Sequence, residues 1–394
     1  NFYFNDLVQH IKFPNDDLNS FARFTYCLMK QKQLEASKQI APYNGPLASL
    51  LKEKINQEIN SLVEAKSTAI LKAFNIVNEE DLNTENTSEN DAISLQILLS
   101  SLVNEYENTS YLNDPESLVY TINSKLSQLI KTDYKKDLII GPNSQDKYPH
   151  LESVKLSNQT IRLLPGSYND SLLFKGKKIQ VIGSRAVKVN KSIVLSGSDI
   201  SLNSLNILDG EINIDSEADG VIIKNCFIDN GGINSSGKSS DIVIINSFLR
   251  YLKSNLSTQK IQIIHSTISA REKDLTPLLI NLNKSIITDS ILHSGKNPVL
   301  STSAKKPTVK IKNSLLSNSG PLAIIKNLQI YSLEELDDNV SDLKDCLKDN
   351  AGFKDSKNKD YRIKDFSPGF NAASDAKSMG AKFSDSLQLR GDLR

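Results

Sequence analysis

Three side chains with acid–base or cationic chemistry recur at matched places in this sequence: Asp229, Arg250 and His293. A carboxylate beside a fixed cation is the pair that proton abstraction needs, one group as base and the other holding the charge that develops. If the segments carrying them stack as parallel strands, Asp229 and Arg250 lie about 5 Å apart, and His293 lies two coils beyond Arg250 at about 10 Å. These are the candidate catalytic residues. A plainer reading is a ladder pair of exposed opposite charges, worth little energetically. Phe227 and Phe248 share a second column and point two rings outward, for ligand contact or for covering by another segment. With Tyr251 and Arg271 they are the candidate substrate-binding residues. Arg271 opens Arg271-Glu-Lys-Asp274, a charged loop that lengthens its coil. Such loops wall binding grooves, and such runs are also ordinary solvated surface. The carboxylates Asp209, Glu211, Asp215, Glu217 and Asp219 match no recognised calcium-loop spacing, so no metal site is expected. No phosphate-cradling glycine loop, His-Glu-x-x-His or nucleophile elbow is present, and no cofactor is expected.

The elements that position these residues are repeats. Val221-Ile-Ile-Lys-Asn-Cys-Phe-Ile228, Ile242-Val-Ile-Ile-Asn-Ser-Phe-Leu249, Ile261-Gln-Ile-Ile-His-Ser-Thr-Ile268, Ser285-Ile-Ile-Thr-Asp-Ser-Ile-Leu292 and Val309-Lys-Ile-Lys-Asn-Ser-Leu-Leu316 share one pattern. It reads apolar-x-apolar-x-(Asn/Asp/His)-(Ser/Cys)-x-apolar, with Ser285 the exception at the first position. With the partial units upstream, the fifth position falls at 165, 183, 204, 225, 246, 265, 289 and 313, in steps of 18, 21, 21, 21, 19, 24 and 24. Such steps are too short for a strand–helix–strand crossover, which takes about 30 residues. They suit one coil of a parallel solenoid. The apolar positions face inward, and the Asn position is a bend, where Asn tolerates left-handed backbone and can bond its neighbours along the axis. His265 takes this bend position. A leucine-rich solenoid is the rival, but the pattern is richer in Ile and Val.

Residues 1–140 read as an α-helical bundle domain: one helix through Leu18–Leu28, a long one after Asn44-Gly45-Pro46, a third from near Asp91 and a fourth after Asn113-Asp114-Pro115. The β-helix is expected over 150–330 and a capping tail over 331–394, opening with an acidic helical stretch over Ser332–Asp345. Lys plus Arg is 47 and Asp plus Glu is 46. That balance excludes a protein built mainly to grip nucleic acid. No apolar run is long enough for a transmembrane helix. Cys27, Cys226 and Cys346 form no disulfide framework. The chain begins at Asn1 rather than Met, which leaves room for a removed leader or anchor.

With its repeated coil and a tail in which Asp360-Tyr-Arg-Ile363, Ser367-Pro368 and Met379-Gly-Ala381 follow one another, the sequence resembles the bacterial right-handed parallel β-helix proteins. That family includes pectate-lyase-like enzymes and their non-catalytic relatives. The likeness covers roughly 150–383, and Phe370-Asn-Ala-Ala373 departs from the usual tail motif. It implies a mainly β chain: a right-handed parallel β-helix solenoid preceded by an α-helical N-terminal domain. It also implies an exported protein, whether secreted, periplasmic or on the cell surface, that recognises polysaccharide. Lyases of this kind need a base beside a uronate and a cation, and hydrolases need two spaced carboxyl groups. Whether the chain is an enzyme is left open. The alternative is a non-catalytic component of the bacterial envelope or an appendage, docking a protein partner through residues 1–135. An open groove holding Asp229, Arg250 and a further basic residue fits the enzyme. A face covered by the C-terminal tail fits the scaffold.

Overall fold

The computed structural model describes residues 37–382 apart from 39, 43, 83–86, 107–110, 112–113, 115–116, 143–156, 185, 237–240, 255–259, 272–273, 275 and 357–358. The helix expected through Leu18–Leu28 lies outside the described residues. The chain separates into two compact units, Asn1–Lys131 and Thr132–Arg394.

In the first unit, α1 (Pro46–Ala73) starts with proline in its first turn, where the missing N–H costs nothing. The sequence spacing gives it an apolar stripe of Leu47, Leu50, Leu51, Ile55, Ile59, Leu62 and Val63. The buried stripe is Ala48, Leu51, Ile55, Ile59, Val63 and Leu71, continued by the C-cap Phe74, whereas Leu50 is exposed. Helix α2 (Glu89–Glu105) is capped by the Ser88 side chain, and α3 (Leu118–Leu129) by Ser117. Leu95, Leu99, Val119, Ile122 and Leu126 complete one apolar core with α1.

The second unit is a parallel solenoid of three faces, and the chain is mainly β. Each coil runs along face 1, bends, crosses face 2, turns again and returns along face 3. On face 1 the inward columns are in strict register: Ile179, Ile200, Val221, Ile242, Ile261, Ser285 and Val309 in one, and Val181, Leu202, Ile223, Ile244, Ile263, Ile287, Ile311 and Leu343 in the other. Ser285, the exception, is buried and satisfies its hydroxyl on the Asn283 carbonyl. These columns belong to one continuous apolar core, and full burial of each Ile or Leu contributes about 1.5–3 kcal/mol.

The bend between faces 1 and 2 explains its own sequence. Ser204, Asn225, Asn246, His265, Asp289 and Asn313 all have φ between 43° and 59°, the left-handed region that β-branched residues avoid. Asn246 Nδ2 donates to Asn225 Oδ1 at 2.8 Å, and Asn225 Nδ2 to Asn203 Oδ1 at 3.0 Å. The residue after the bend carries an inner ladder. Ser247, Ser266, Ser290 and Ser314 each donate to the carbonyl two residues back, at 2.7–2.9 Å. Each also accepts the N–H of Cys226, Ser247, Ser266 and Ser290 respectively, at 3.1–3.2 Å. A hydroxyl both donates and accepts, which is what this slot needs. Cys226 begins the ladder as a donor, and burial pushes its thiol up to about 12.

Past Asn318 the structure departs from the expected helical stretch. Leu328–Ile330 folds back antiparallel on Ala323–Ile325. Helix α4 (Leu333–Asn339), with a Ser332/Glu335 capping box, ends at Asn339. The chain then re-enters the coil: Asp342–Lys344 pairs on face 1 and Leu347–Lys348 on face 2. Lys344-Asp345-Cys346 repeats Lys224-Asn225-Cys226, and Asp345 takes the same left-handed bend at φ 52°. The inserted helix lengthens that step and hides the repeat.

Candidate functional site

Face 2 carries the candidate residues. Phe227 pairs with Phe248, Phe248 with Thr267, Thr267 with Ile291, and Ile291 with Leu315. Two positions further along, the same register stacks Asp229 on Arg250, then Ser269, His293 and Ser317. The expected columns are real. Phe227 and Phe248 stack with centroids 4.8 Å apart. Arg250 Nη2 donates to Asp229 Oδ1 at 3.0 Å, and its Nε donates to the Asp229 carbonyl.

The pair is not exposed, as an ordinary ladder pair would be. Asp229 is 2% and Arg250 5% exposed, because a hairpin of the tail, Phe353–Asp355 with Asp360–Ile363, covers this face. Tyr361 stacks on Phe248 at 4.1 Å and accepts a hydrogen bond from Arg250 Nη2 at 2.8 Å. The guanidinium lies 4.8 Å from the Phe248 centroid and 5.1 Å from that of Tyr361. Its Nη1 donates to the Ser269 carbonyl at 3.1 Å. Lys359 Nζ reaches Asp229 Oδ2 at 2.6 Å. Both carboxylate oxygens of Asp229 are therefore held by cations, and the basic residue added to the pair comes from the cover itself. Beneath the rest of the tail, Ile291 and Leu315 pack with Ala351, Ile363, Ala373 and Met379.

His293 is separated from Arg250 by Ser269 and has its own surroundings. Its Nδ1 shares a 3.0 Å hydrogen bond with Ser317 Oγ, which also accepts the Ala351 N–H, and Phe353 meets its ring edge-on at 5.5 Å. Burial pulls its pKa below the ordinary histidine value, against the hydrogen bond at Ser317 that favours the charged form. The structure brings Asp229, Arg250, Phe227 and Phe248 together under Lys359 and Tyr361, while His293 lies under Phe353 of the same hairpin, with the Ser269 rung between it and the ion pair.

Tyr251 and Arg271 stand elsewhere. The Tyr251 hydroxyl donates to Glu211 Oε1, and Asn234 Nδ2 donates to Glu211 Oε2. Burial raises the Tyr251 pKa first, and Glu211 adds to it. Arg271 Nε donates to Asp274 Oδ1 at 3.2 Å and its Nη1 to Asn230 Oδ1 at 3.1 Å. Tyr168, an aromatic of the same coils, is buried with its hydroxyl on the Ile140 and Leu164 carbonyls.

A second contact between tail and coils lies at the bend. Asp289 accepts from Ser374 N at 2.6 Å and Ser374 Oγ at 2.7 Å. His265 Nε2 lies 3.8 Å from Asp289 and 3.7 Å from Asp375, whose carboxylate also meets Lys382 at 3.0 Å. Burial would raise the Asp375 pKa, but Lys382, Lys377 and His265 hold it below the usual range. Asn246 donates to the Lys382 carbonyl at 3.2 Å and accepts its N–H. Lys359, Tyr361 and Ser374 were not among the candidate residues. Their contacts join positions more than eighty residues apart, which no repeat encodes.

Chemically, this arrangement clamps. Asp229 and Arg250 are paired and covered, and each carboxylate oxygen of Asp229 meets a cation. No protein-family model matches the chain, and no curated protein matches it.

Proposed function

We propose that this chain is a non-catalytic interaction and spacer component of the bacterial envelope or an appendage, and that the Asp229–Arg250 column serves to fasten its tail. One observation carries the reading: Asp229 and Arg250 are buried and fully engaged by Lys359 and Tyr361 of the same chain. A general base must reach the proton that it takes, and this one is closed off by a hairpin that is part of the unit's own core. An exported setting follows from the likeness of the coil and tail to bacterial β-helix proteins. A second reading, glycan binding without turnover, is favoured by one feature: Tyr251, Glu211 and Asn234 present a partly exposed aromatic ring beside a carboxylate and an amide.

The test is incubation of the full chain with uronate-containing and neutral glycans, following both binding and the absorbance of unsaturated products. The expected result is no turnover. Turnover that is present in the wild type and lost in Asp229→Asn, with folding retained, overturns the reading. Glycan binding lost in Tyr251→Ala, without turnover, selects the second reading.

A further inference from the structure

Face 1 turns an aliphatic surface outward. Along its strands the outward positions alternate with the inner columns. Val243 lies beside Ile222, Ile245 beside Ile264, and Ile286 one coil beyond Gln262. Ile222 is 43% exposed, and Val243, Ile245, Ile264 and Ile286 are partly exposed. They do not belong to the solenoid core, and the tail hairpin lies on face 2 instead. Isolated surface aliphatics are ordinary, but a contiguous in-register group is a mark of an interaction surface. Parallel sheets with apolar outer positions are characteristically covered by helices.

The charges beside the patch have one sign in excess. Lys224 stands in register with Ile245 at one end. At the other end Lys310 follows Ile286, and Lys310 and Lys312 share the single carboxylate of Asp342. Between these ends Asp241 stands at an outward position at the head of its strand, and Lys260 of the next coil meets its carboxylate at 4.0 Å, so the excess of positive charge remains. From the coil of Lys224 to that of Lys312 the distance is about 19 Å along the axis, at about 4.8 Å per coil. An α-helix rises 5.4 Å per turn, so a helix laid along the axis puts about one side chain on each coil.

We propose that this face docks an amphipathic helix of a partner protein, with an aliphatic stripe set against Ile222, Val243, Ile245, Ile264 and Ile286 and carboxylates near its two ends facing Lys224 and Lys310. The surface is separate from the corner at Tyr251 and stands whether or not a glycan binds there.

The test uses the full chain and two labelled model helices of about four to six turns. Both carry leucines on one face; one is flanked by glutamates and the other by lysines. Fluorescence anisotropy should show the glutamate helix binding at least tenfold more tightly than the lysine helix. Ile264→Glu should weaken it at least tenfold with the unfolding midpoint unchanged. Lys224→Glu, at an exposed position, should narrow the difference between the two helices and serves if Ile264→Glu folds poorly. Equal binding of the two helices, or no binding of either, overturns the proposal. So does tighter binding of phosphatidylglycerol vesicles that Ile264→Glu abolishes, which points to a membrane. Self-association in sedimentation that the same variant removes points to a second copy and also overturns it.

Discussion

Arg250 has four partners: Asp229 one coil below, Ser269 one coil above, Tyr361 in the tail, and Phe248 of its own coil under its plane. A buried ion pair contributes little net stability, but breaking one by removing a single partner leaves an uncompensated charge and costs about 3–5 kcal/mol. Arg250→Ala should therefore lower stability by about that amount in urea denaturation, while the double change Asp229→Leu/Arg250→Met should cost far less. An unchanged midpoint for Arg250→Ala would mean that the column is not a fastening. His293 makes a prediction of opposite character. Its folded pKa lies below the ordinary value of 6.5, so the unfolded chain binds a proton first as pH falls. The unfolded state then holds more protons, and stability must decline on acidification from about 6.5 toward the folded pKa. His293→Gln should flatten that decline in thermal melts between about pH 7.5 and 5.

At the level of elements, the bend and its ladder make the coil a coil. Ser266→Ala would leave the Ser247 N–H buried without an acceptor, a loss of about 1–3 kcal/mol. Ser266→Cys should cost less, because Cys226 and Cys346 occupy the same slot elsewhere. Asn225→Val should cost about 1–2 kcal/mol through its positive φ alone. These are the features that could be read from sequence. Inward columns and bend residues are fixed by contacts one coil apart, and the spacing near twenty-one residues reports them directly. The last coil was not legible, because α4 stretches its step and Leu347 and Lys348 are exposed, so the apolar signature fails just where the strand pairs. The stripe of α1 was legible except at Leu50, since a helix alone does not say which side of a wide stripe will be buried.

For the whole molecule, the sequence left undecided whether face 2 is covered. The columns of Asp229, Arg250, Phe227 and Phe248 followed from the repeat, whereas the choice between an open face and one covered by the tail stayed open, because Tyr361 meets Arg250 across 111 residues of sequence. Nothing periodic marks such a contact. Truncation after Lys348 should strip the hairpin from face 2 and expose Phe227, Phe248, Ile291 and Leu315. Increased binding of an apolar dye, with loss of solubility, is the expected outcome, and a truncated chain that behaves as the full one does would mean that the cover is dispensable.

The serine ladder has a further consequence for how this solenoid can change length. From Cys226 to Ser290 each rung gives its amide to the hydroxyl of the rung above, so the joint between these coils does not depend on which two coils meet. Excising Leu205–Asn225 would splice Ser204 to Cys226 and bring equivalent joints together, whereas excising half that span would leave one coil without the strands to complete its three faces. Growth and shrinkage of the rod are thus quantised in whole turns, and lineages of this chain should differ by complete coils far more readily than by fractions of one.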